Sequence, residues 1–300
     1  MTTIRSFMEQ TWTDLNSPTK EEIDSLVLIQ HINPIIAKDL LTPTPLQYAE
    51  EDDSILYAVL HIPAFKHSHT FEEPQEIDFV ISARGVITAR YDSIDALHFF
   101  AKQMEVNEIL NKGDNTHLFF GIMKKIYDSL FDELAYFEDW MQEIEKSIFS
   151  GKEKDMVFAI SNISRNLLNF KRVIDPHGSV FEFLATRGGE KFGQKFGEEI
   201  KELHEYWRRI SRRVGNQIDL VNEFRETNNS MLSTKQNETM KQLAVMGSIL
   251  LPLTLVGQIF GLSIKSFPLL NHPYAFWIII GLMATVMLIS LIFAKIKKWM

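Results

Sequence analysis

Leu243 to Leu262, LAVMGSILLPLTLVGQIFGL, is a run of twenty residues without a charge. At about 1.5 Å per residue, a helix of that length spans about 30 Å, the hydrocarbon thickness of a bilayer. A second uncharged run, Phe276 to Ala294, follows after a short connection that holds Pro268 and Pro273. So short a connection predicts an antiparallel hairpin of two transmembrane helices. Lys235 and Lys241 precede the first span, and Lys295, Lys297 and Lys298 follow the second. Basic flanks on the terminal side predict that both termini are cytoplasmic. Tyr274, Trp277 and Trp299 stand where aromatic residues anchor a span at the interface. A buried helical pair in a soluble protein is the competing reading. Two adjacent spans with basic flanks fit the hydropathy criterion better.

The charge is distributed as unevenly as the hydropathy. Gln242 to Met300 holds no Asp or Glu and four Lys, so residues 1–241 carry 27 basic against 39 acidic residues, a net charge of −12. That acidic body excludes nucleic acid as a partner, since nucleic acid needs a basic face. It suits a protein that works among cations. There is no cysteine, which excludes disulfides and thiolate chemistry. The polar, acid-bearing stretch from Met1 to Leu26 does not read as a signal peptide.

The two spans differ. The second is Ile, Leu, Val and Met with single Gly281, Thr285 and Ser290, a lipid-facing composition. The first carries a stripe at steps of three and four: Asn237, Met240, Ala244, Gly247, Leu251, Thr254, Gln258 and Gly261. Much of it is small or polar, and polar groups in a span face protein or water. Two readings remain open from the span alone. One is a tight helix–helix interface built on small residues. The other is a pore wall made by several copies of this helix, because a single hairpin cannot enclose a pore.

Upstream, no proline occurs between Pro176 and Pro252. From about Gly197 to Leu262 the pattern reads as one helix of some 65 residues, roughly 100 Å long. Leu203, Trp207, Ile210, Val214, Val221 and Phe224 form a seam of 3.5-residue period, with Gln217 in its one gap. Such a seam drives helix association. Its outer faces carry Lys201, Arg208, Arg209, Arg212 and Arg213 against Glu198, Glu199, Glu202 and Glu205. Toward the membrane the seam turns polar, from Thr227, Asn228 and Asn229 to Asn237, as a water-filled vestibule would.

The N-terminal part reads as a mixed α/β domain. Thr11 to Leu15, Ile55 to Ile62, Ile77 to Ser82 and Val86 to Arg90 have strand character, with a turn at Gly85. Asn16, Ser17 and Pro18 open a helix with Glu21 and Glu22 in its first turn. Ser93 opens another through Met104. Phe119, Ile122, Ile126, Leu130, Leu134, Phe137, Met141, Ile144 and Ile148 follow a long helical period, broken at Ser150-Gly151. Met156 to Ile174 is its partner helix. The expected organisation is an α/β domain (1–117), a helical hairpin (118–196), a stalk helix (197–242), a first span (243–262), an outer loop (263–275), a second span (276–294) and a basic tail (295–300).

This order of parts resembles the CorA family of divalent-cation transporters, also described as two-TM-GxN proteins. The likeness is closest in Asn237-Glu238-Thr239-Met240-Lys241-Gln242-Leu243. It continues in Leu251-Pro252-Leu253-Thr254-Leu255-Val256-Gly257 and in Phe260-Gly261. Trp12, Asp14, Leu15, Pro18, Thr19, Glu21 and Glu22 echo an early family pattern, and Lys-Lys-Trp at 297–299 fits its end. The resemblance implies a funnel-shaped homopentamer in the cell (inner) membrane, an α+β cytoplasmic domain with a long helical stalk, and a pore lined by the first span. It implies Mg²⁺ or another divalent cation (Zn²⁺, Co²⁺, Ni²⁺) as substrate and possible regulator, with no covalently bound cofactor. Met240 and Leu243 match the family's apolar constriction, which gates by dewetting. Glu202 lies near a place where family members hold a regulatory cation between subunits, although ordinary solvated charge on the stalk accounts for it as well.

The departures cluster at the outer mouth. The family's Gly-Met-Asn signature is here Gly261-Leu262-Ser263. Gln258 replaces a small glycine, and the outer loop has Lys265 and His272 but no acid. Each change weakens electrostatic capture of a divalent ion. Altered selectivity is one consequence; a channel or sensor with little divalent selectivity is the other.

An enzyme with a membrane anchor finds less support. His61, His67 and His69 cluster around an expected loop, but their spacing matches no metal motif. Gly188, Gly189, Gly193 and Gly197 suggest a phosphate loop without the Gly-Lys-Ser/Thr that would complete it, so a flexible connection is the simpler expectation.

Overall fold

The computed structural model of the chain describes residues 2–7, 10–30, 32–65, 71–109, 117–261 and 273–296. The chain divides into two compact units, residues 1–225 and 226–300.

The first unit opens with β1 (Thr2–Phe7), β2 (Gln10–Asn16), α1 (Lys20–Gln30), α2 (Pro34–Asp39), β3 (Tyr48–Asp52), β4 (Ile55–Ile62), β5 (Gln75–Ser82) and β6 (Gly85–Arg90). They build one six-stranded sheet in the order β1-β2-β6-β5-β4-β3. All pairings are antiparallel except β2 with β6, which runs parallel, Trp12 opposite Val86 and Leu15 opposite Ala89. Strand alternation sends Leu15, Tyr57, Val59, Val80, Ile87 and Ala89 to one face, where Ile23 of α1 and Ile36 of α2 complete a buried cluster. The other face takes Trp12 and Phe79. Trp12 meets Phe100 edge-on at 5.6 Å and Phe79 meets Phe119 at 5.0 Å. Both faces of β5 are covered, which is why its run is almost continuously buried.

Two sequence signals acquire causes here. The early Pro-Thr-x-Glu-Glu stretch is a helix start: the Thr19 hydroxyl accepts from the Glu22 N–H, and the Glu22 carboxylate accepts from the Thr19 N–H. Trp12 and Asp14 tie β2 to β6. The indole N–H donates to Thr88 at 3.0 Å, and the Thr88 hydroxyl donates to Asp14 at 2.8 Å. Arg90 closes the group on Asp14 at 3.0 Å.

The helical layer follows: α3 (Asp95–Ile109), α4 (Leu118–Phe149), α5 (Glu153–Ile174), α6 (His177–Phe192) and α7 (Gln194–Gly261). Gly151, at φ 91°, makes the turn between α4 and α5. The seam on α7 is satisfied within the chain: Leu203, Ile210, Val214 and Val221 are buried. Gln217, the polar gap, donates to the Leu134 carbonyl at 2.9 Å and to Glu138 at 3.1 Å. Arg213 forks onto the two oxygens of Glu138, both at 2.7 Å, and the Trp207 indole donates to the Ile174 carbonyl.

The expectation of a flexible glycine connection is corrected. Gly188 and Gly189 lie inside α6 and Gly197 inside α7, so only Gly193, at φ 98°, makes a turn. A Cβ at Gly197 would meet the Gly189 Cα and the Ala185 carbonyl, both at 3.2 Å. The glycines permit a close helix crossing, which is neither a phosphate loop nor a flexible segment.

The second unit holds the end of α7 and α8 (Ala275–Ile296), the two long apolar helices of the C-terminus.

Candidate ion pathway

α7 carries all nine residues of the expected pore face, over 25 residues or about 36 Å of helix. A helix exposed on every side is covered by other molecules or bathed in water. From Ser233 to Ala244 every residue of α7 is exposed, including the apolar Met240 and Leu243. Further along, exposure becomes one-sided. Val245, Ser248, Ile249, Pro252, Leu253 and Val256 are half-buried at helical spacing. On α8, Ile279, Met283, Val286 and Ser290 are half-buried and Ala294 is buried. Each helix of the hairpin thus has one sheltered stripe.

The expected pore face falls on the unsheltered side. Asn237, Met240, Leu243, Ala244, Leu251, Thr254, Gln258 and Gly261 are all exposed, Leu251 at 72 %. Gly247 is the exception, half-buried at the stripe's edge. The Thr254 hydroxyl donates back to the Leu251 carbonyl at 2.9 Å, so this polar group is satisfied within its own helix. Gln258 has no hydrogen-bond partner among the described residues, and with Leu255, Ile259 and Gly261 it lines a shallow hollow. Pro252 lacks the N–H that would close on the Ser248 carbonyl. Ser263, Lys265 and His272 lie outside the described residues, as do Lys297, Lys298 and Trp299.

The candidate site is therefore a stripe on one helix, and among the described residues it is largely uncovered.

The remaining candidates do not converge. Glu202 is exposed on α7, while its neighbours are engaged: Glu199 accepts from His117 at 2.7 Å and Glu205 from Arg208 at 3.1 Å. Among the described residues, no group of three or more His, Asp or Glu side chains is placed to hold a metal ion within one chain. His61 lies in β4, within the strand expected there, its ring against the Thr44 carbonyl at 3.0 Å and Glu76 at 3.2 Å. His67 and His69 lie outside the described residues. The sequence reading missed a buried polar system in the first unit. Tyr127 donates to His177 Nδ1 at 2.8 Å, and His177 Nε2–H donates to the His61 carbonyl at 2.9 Å. Burial takes His177 down to about 4, so its ring is neutral.

The fold defines a membrane protein with an α+β N-terminal part, a long helical stalk and two C-terminal spans. The family model described as "CorA-like Mg2+ transporter protein" matches residues 9–297, and the chain belongs to that family, one of divalent metal-ion transporters and not of enzymes. It is 21 % identical to the cobalt/magnesium transport protein CorA of Thermotoga maritima over 90 % of this chain and 77 % of that one. It is 22 % identical to the protein of the same description from Methanocaldococcus jannaschii, over 96 % of this chain and 90 % of the relative. The solved CorA magnesium transporter of M. jannaschii superposes with a TM-score of 0.83 at 18 % identity, over 99 % of this chain and 94 % of that one. At these identities the chain is a divergent member, and the structural likeness extends to the sheet, the stalk and both apolar helices.

Proposed function

We propose that this chain moves divalent cations (Mg²⁺, Zn²⁺, Co²⁺ or Ni²⁺) through a central pore formed by α7 of a homo-oligomer in the inner membrane. The observation that carries this reading is the one-sided exposure of α7. The sheltered stripe faces away, and Asn237, Met240, Leu243, Leu251, Thr254 and Gln258 remain uncovered. Five copies is the number the family resemblance implies. The basic flanks support a cytoplasmic position for both termini, which puts Ser263 at the proposed outer mouth.

The chemistry fits a hydrated ion. Mg²⁺ gives up its water reluctantly, so amide, hydroxyl and carbonyl oxygens that bond to its water shell cost less than direct ligands. Asn237, Thr254 and Gln258 supply such groups. Met240 and Leu243 form an apolar constriction at the cytoplasmic end, where a narrow dry ring stops conduction without a plug. Glu202 is proposed as a cation contact between subunits that regulates the pore.

A second reading is favoured by the outer mouth. Gln258, Ser263 and Lys265 together lower its negative potential, so divalent selectivity is weak and the protein serves as a less selective channel or a sensor.

The assembly is testable because the chain has no cysteine. Single cysteines at Leu251 or Thr254, oxidised in membranes, should join copies of the chain. A cysteine at Leu288, on the exposed side of α8, should not. Equal cross-linking at all three positions, or none at Leu251 and Thr254, would contradict a pore lined by α7.

A further inference from the structure

β5 sends two carboxylates, two residues apart, to one face of the sheet: Glu76 and Asp78. They differ sharply in company. Glu76 accepts from the Thr44 N–H at 2.8 Å, from the Thr44 hydroxyl at 3.3 Å, and lies 3.2 Å from the His61 ring. Asp78 is 0 % exposed, within the cluster of Leu15, Ile36, Leu40, Val59, Val80 and Ala89. Neither of its oxygens is in good hydrogen-bond geometry with a partner, nor is the buried Tyr57 hydroxyl that faces it from β4, although Tyr57 and Glu76 both lie near enough to act on it.

Among the described residues, the groups that act most on Asp78 include no Lys or Arg. On its own strand there is Glu76, and on β4 there are Tyr57 and His61. Tyr48 stands on β3, Asp39 at the end of α2, and Tyr91 just after β6. The charges that act on it most, Glu76 and Asp39, are acids. An ionised carboxylate with both oxygens poorly paired in an apolar core is strongly disfavoured, and keeping the proton avoids that cost. Burial first, and then the Glu76 charge, push Asp78 up to about 9.

We propose that Asp78 is a proton-binding site of the N-terminal domain: the proton it holds between Tyr57 and Glu76 keeps α2 and β3 closed on the sheet, and its release loosens them. The equilibrium is a simple dissociation, the carboxylic acid giving a carboxylate and a proton to water. The ionised form sets a third negative charge beside Glu76 and Asp39. Asp39 ends α2 and accepts from the Tyr48 hydroxyl of the edge strand β3 at 3.0 Å, so α2 and β3 are the elements that repulsion displaces.

The sign follows from the raised affinity. Between the ordinary Asp value of 3.8 and about 9, the folded chain holds one proton that the unfolded chain has released. The unfolding equilibrium constant therefore grows about tenfold per pH unit as pH rises through that window. His177 acts in the opposite direction, but only below its ordinary value of 6.5, so pH 7 to 9 isolates Asp78.

The test compares full-length protein with its Asp78→Asn variant, in detergent, between pH 7 and 9. Three quantities are read: denaturant unfolding of the N-terminal domain, hydrogen exchange of α2 and β3 corrected for intrinsic rates, and the infrared carboxylic C=O band. The expected result is an unfolding-constant ratio, wild type over variant, that rises about tenfold per pH unit, with α2 and β3 exchange accelerating only in the wild type. A carboxylic band present at pH 7 should disappear above pH 9. Should Asp78→Asn fail to fold, Glu76→Gln, which still offers an acceptor to Thr44, should lose the band at a lower pH than the wild type. No carboxylic band at pH 7, or parallel pH profiles in wild type and variant, would overturn the proposal.

Discussion

Gly188 of α6 lies against the ring of Phe196 of α7 so closely that a Cβ on the glycine would fall inside the ring edge, with Leu56 of β4 at 3.3 Å behind it. Phe196 is 1 % exposed and has nowhere to retreat. Gly188→Ala should therefore lower the stability of the first unit by about 1–3 kcal/mol, the usual cost of overpacking a filled site. Urea unfolding of the purified protein checks this. Gly193→Ala is a control of another kind, since its site is open but its φ of 98° strains an L-residue.

His177 should make an acid-destabilising contribution to the fold, opposite in sign to that of Asp78. Its affinity for a proton is depressed, to about 4 from 6.5, because the ring is buried between Tyr127 and the His61 carbonyl. A depressed value means stability that is present above 6.5 and lost as pH falls toward 4, at up to about 1.4 kcal/mol per pH unit. His177→Gln keeps an acceptor for Tyr127 and a donor for the carbonyl. Because Asp78 opposes His177 over the same range, the readout is the difference between wild type and variant in thermal unfolding from pH 7 down to pH 4: the wild type should lose stability relative to His177→Gln as pH falls below 6.5. Parallel pH profiles in the two proteins would remove His177 from the account.

Much of the fold is legible in local signals, and the misses share a cause. β4 stands where its apolar run predicts, and β5, β2 and α4 differ from expectation only at their ends. β1 and β3 escape notice because edge strands need little apolar content; β3 reads Tyr-Ala-Glu-Glu-Asp, and only its pairing with β4 makes it a strand. α6 escapes because Gly188 and Gly189 are poor helix formers on their own, and the demand they answer, contact with Phe196 and Gly197, is tertiary. The seam on α7 is legible as a seam, but its partners α4 and α5 belong to the same chain. Among the site residues, the stripe on α7 is readable from spacing alone, since a helix fixes which residues share a face. Asp78 is not, because one acid in a strand means nothing until the opposite layer is known to be closed.

Leu243 should matter to the closed state. It is 59 % exposed on the single chain, and a ring of its side chains is the proposed dry constriction. Leu243→Ala should raise ion leak through reconstituted protein under conditions that otherwise close it, with little change in the unfolding of the first unit. A leak equal to the wild type would place the gate elsewhere.

The central claim is that α7 conducts divalent cations with a rewritten outer mouth. The direct measurement is ion flux into liposomes holding the purified protein, comparing Mg²⁺, Zn²⁺, Co²⁺, Ni²⁺ and K⁺, with Gln258→Gly and Ser263→Asn measured alongside. The account predicts divalent flux in the native protein that changes in rate or selectivity with both substitutions. Absence of divalent flux in the native protein, appearing only when the family's residues are restored, would contradict it and leave a transporter scaffold kept for another task.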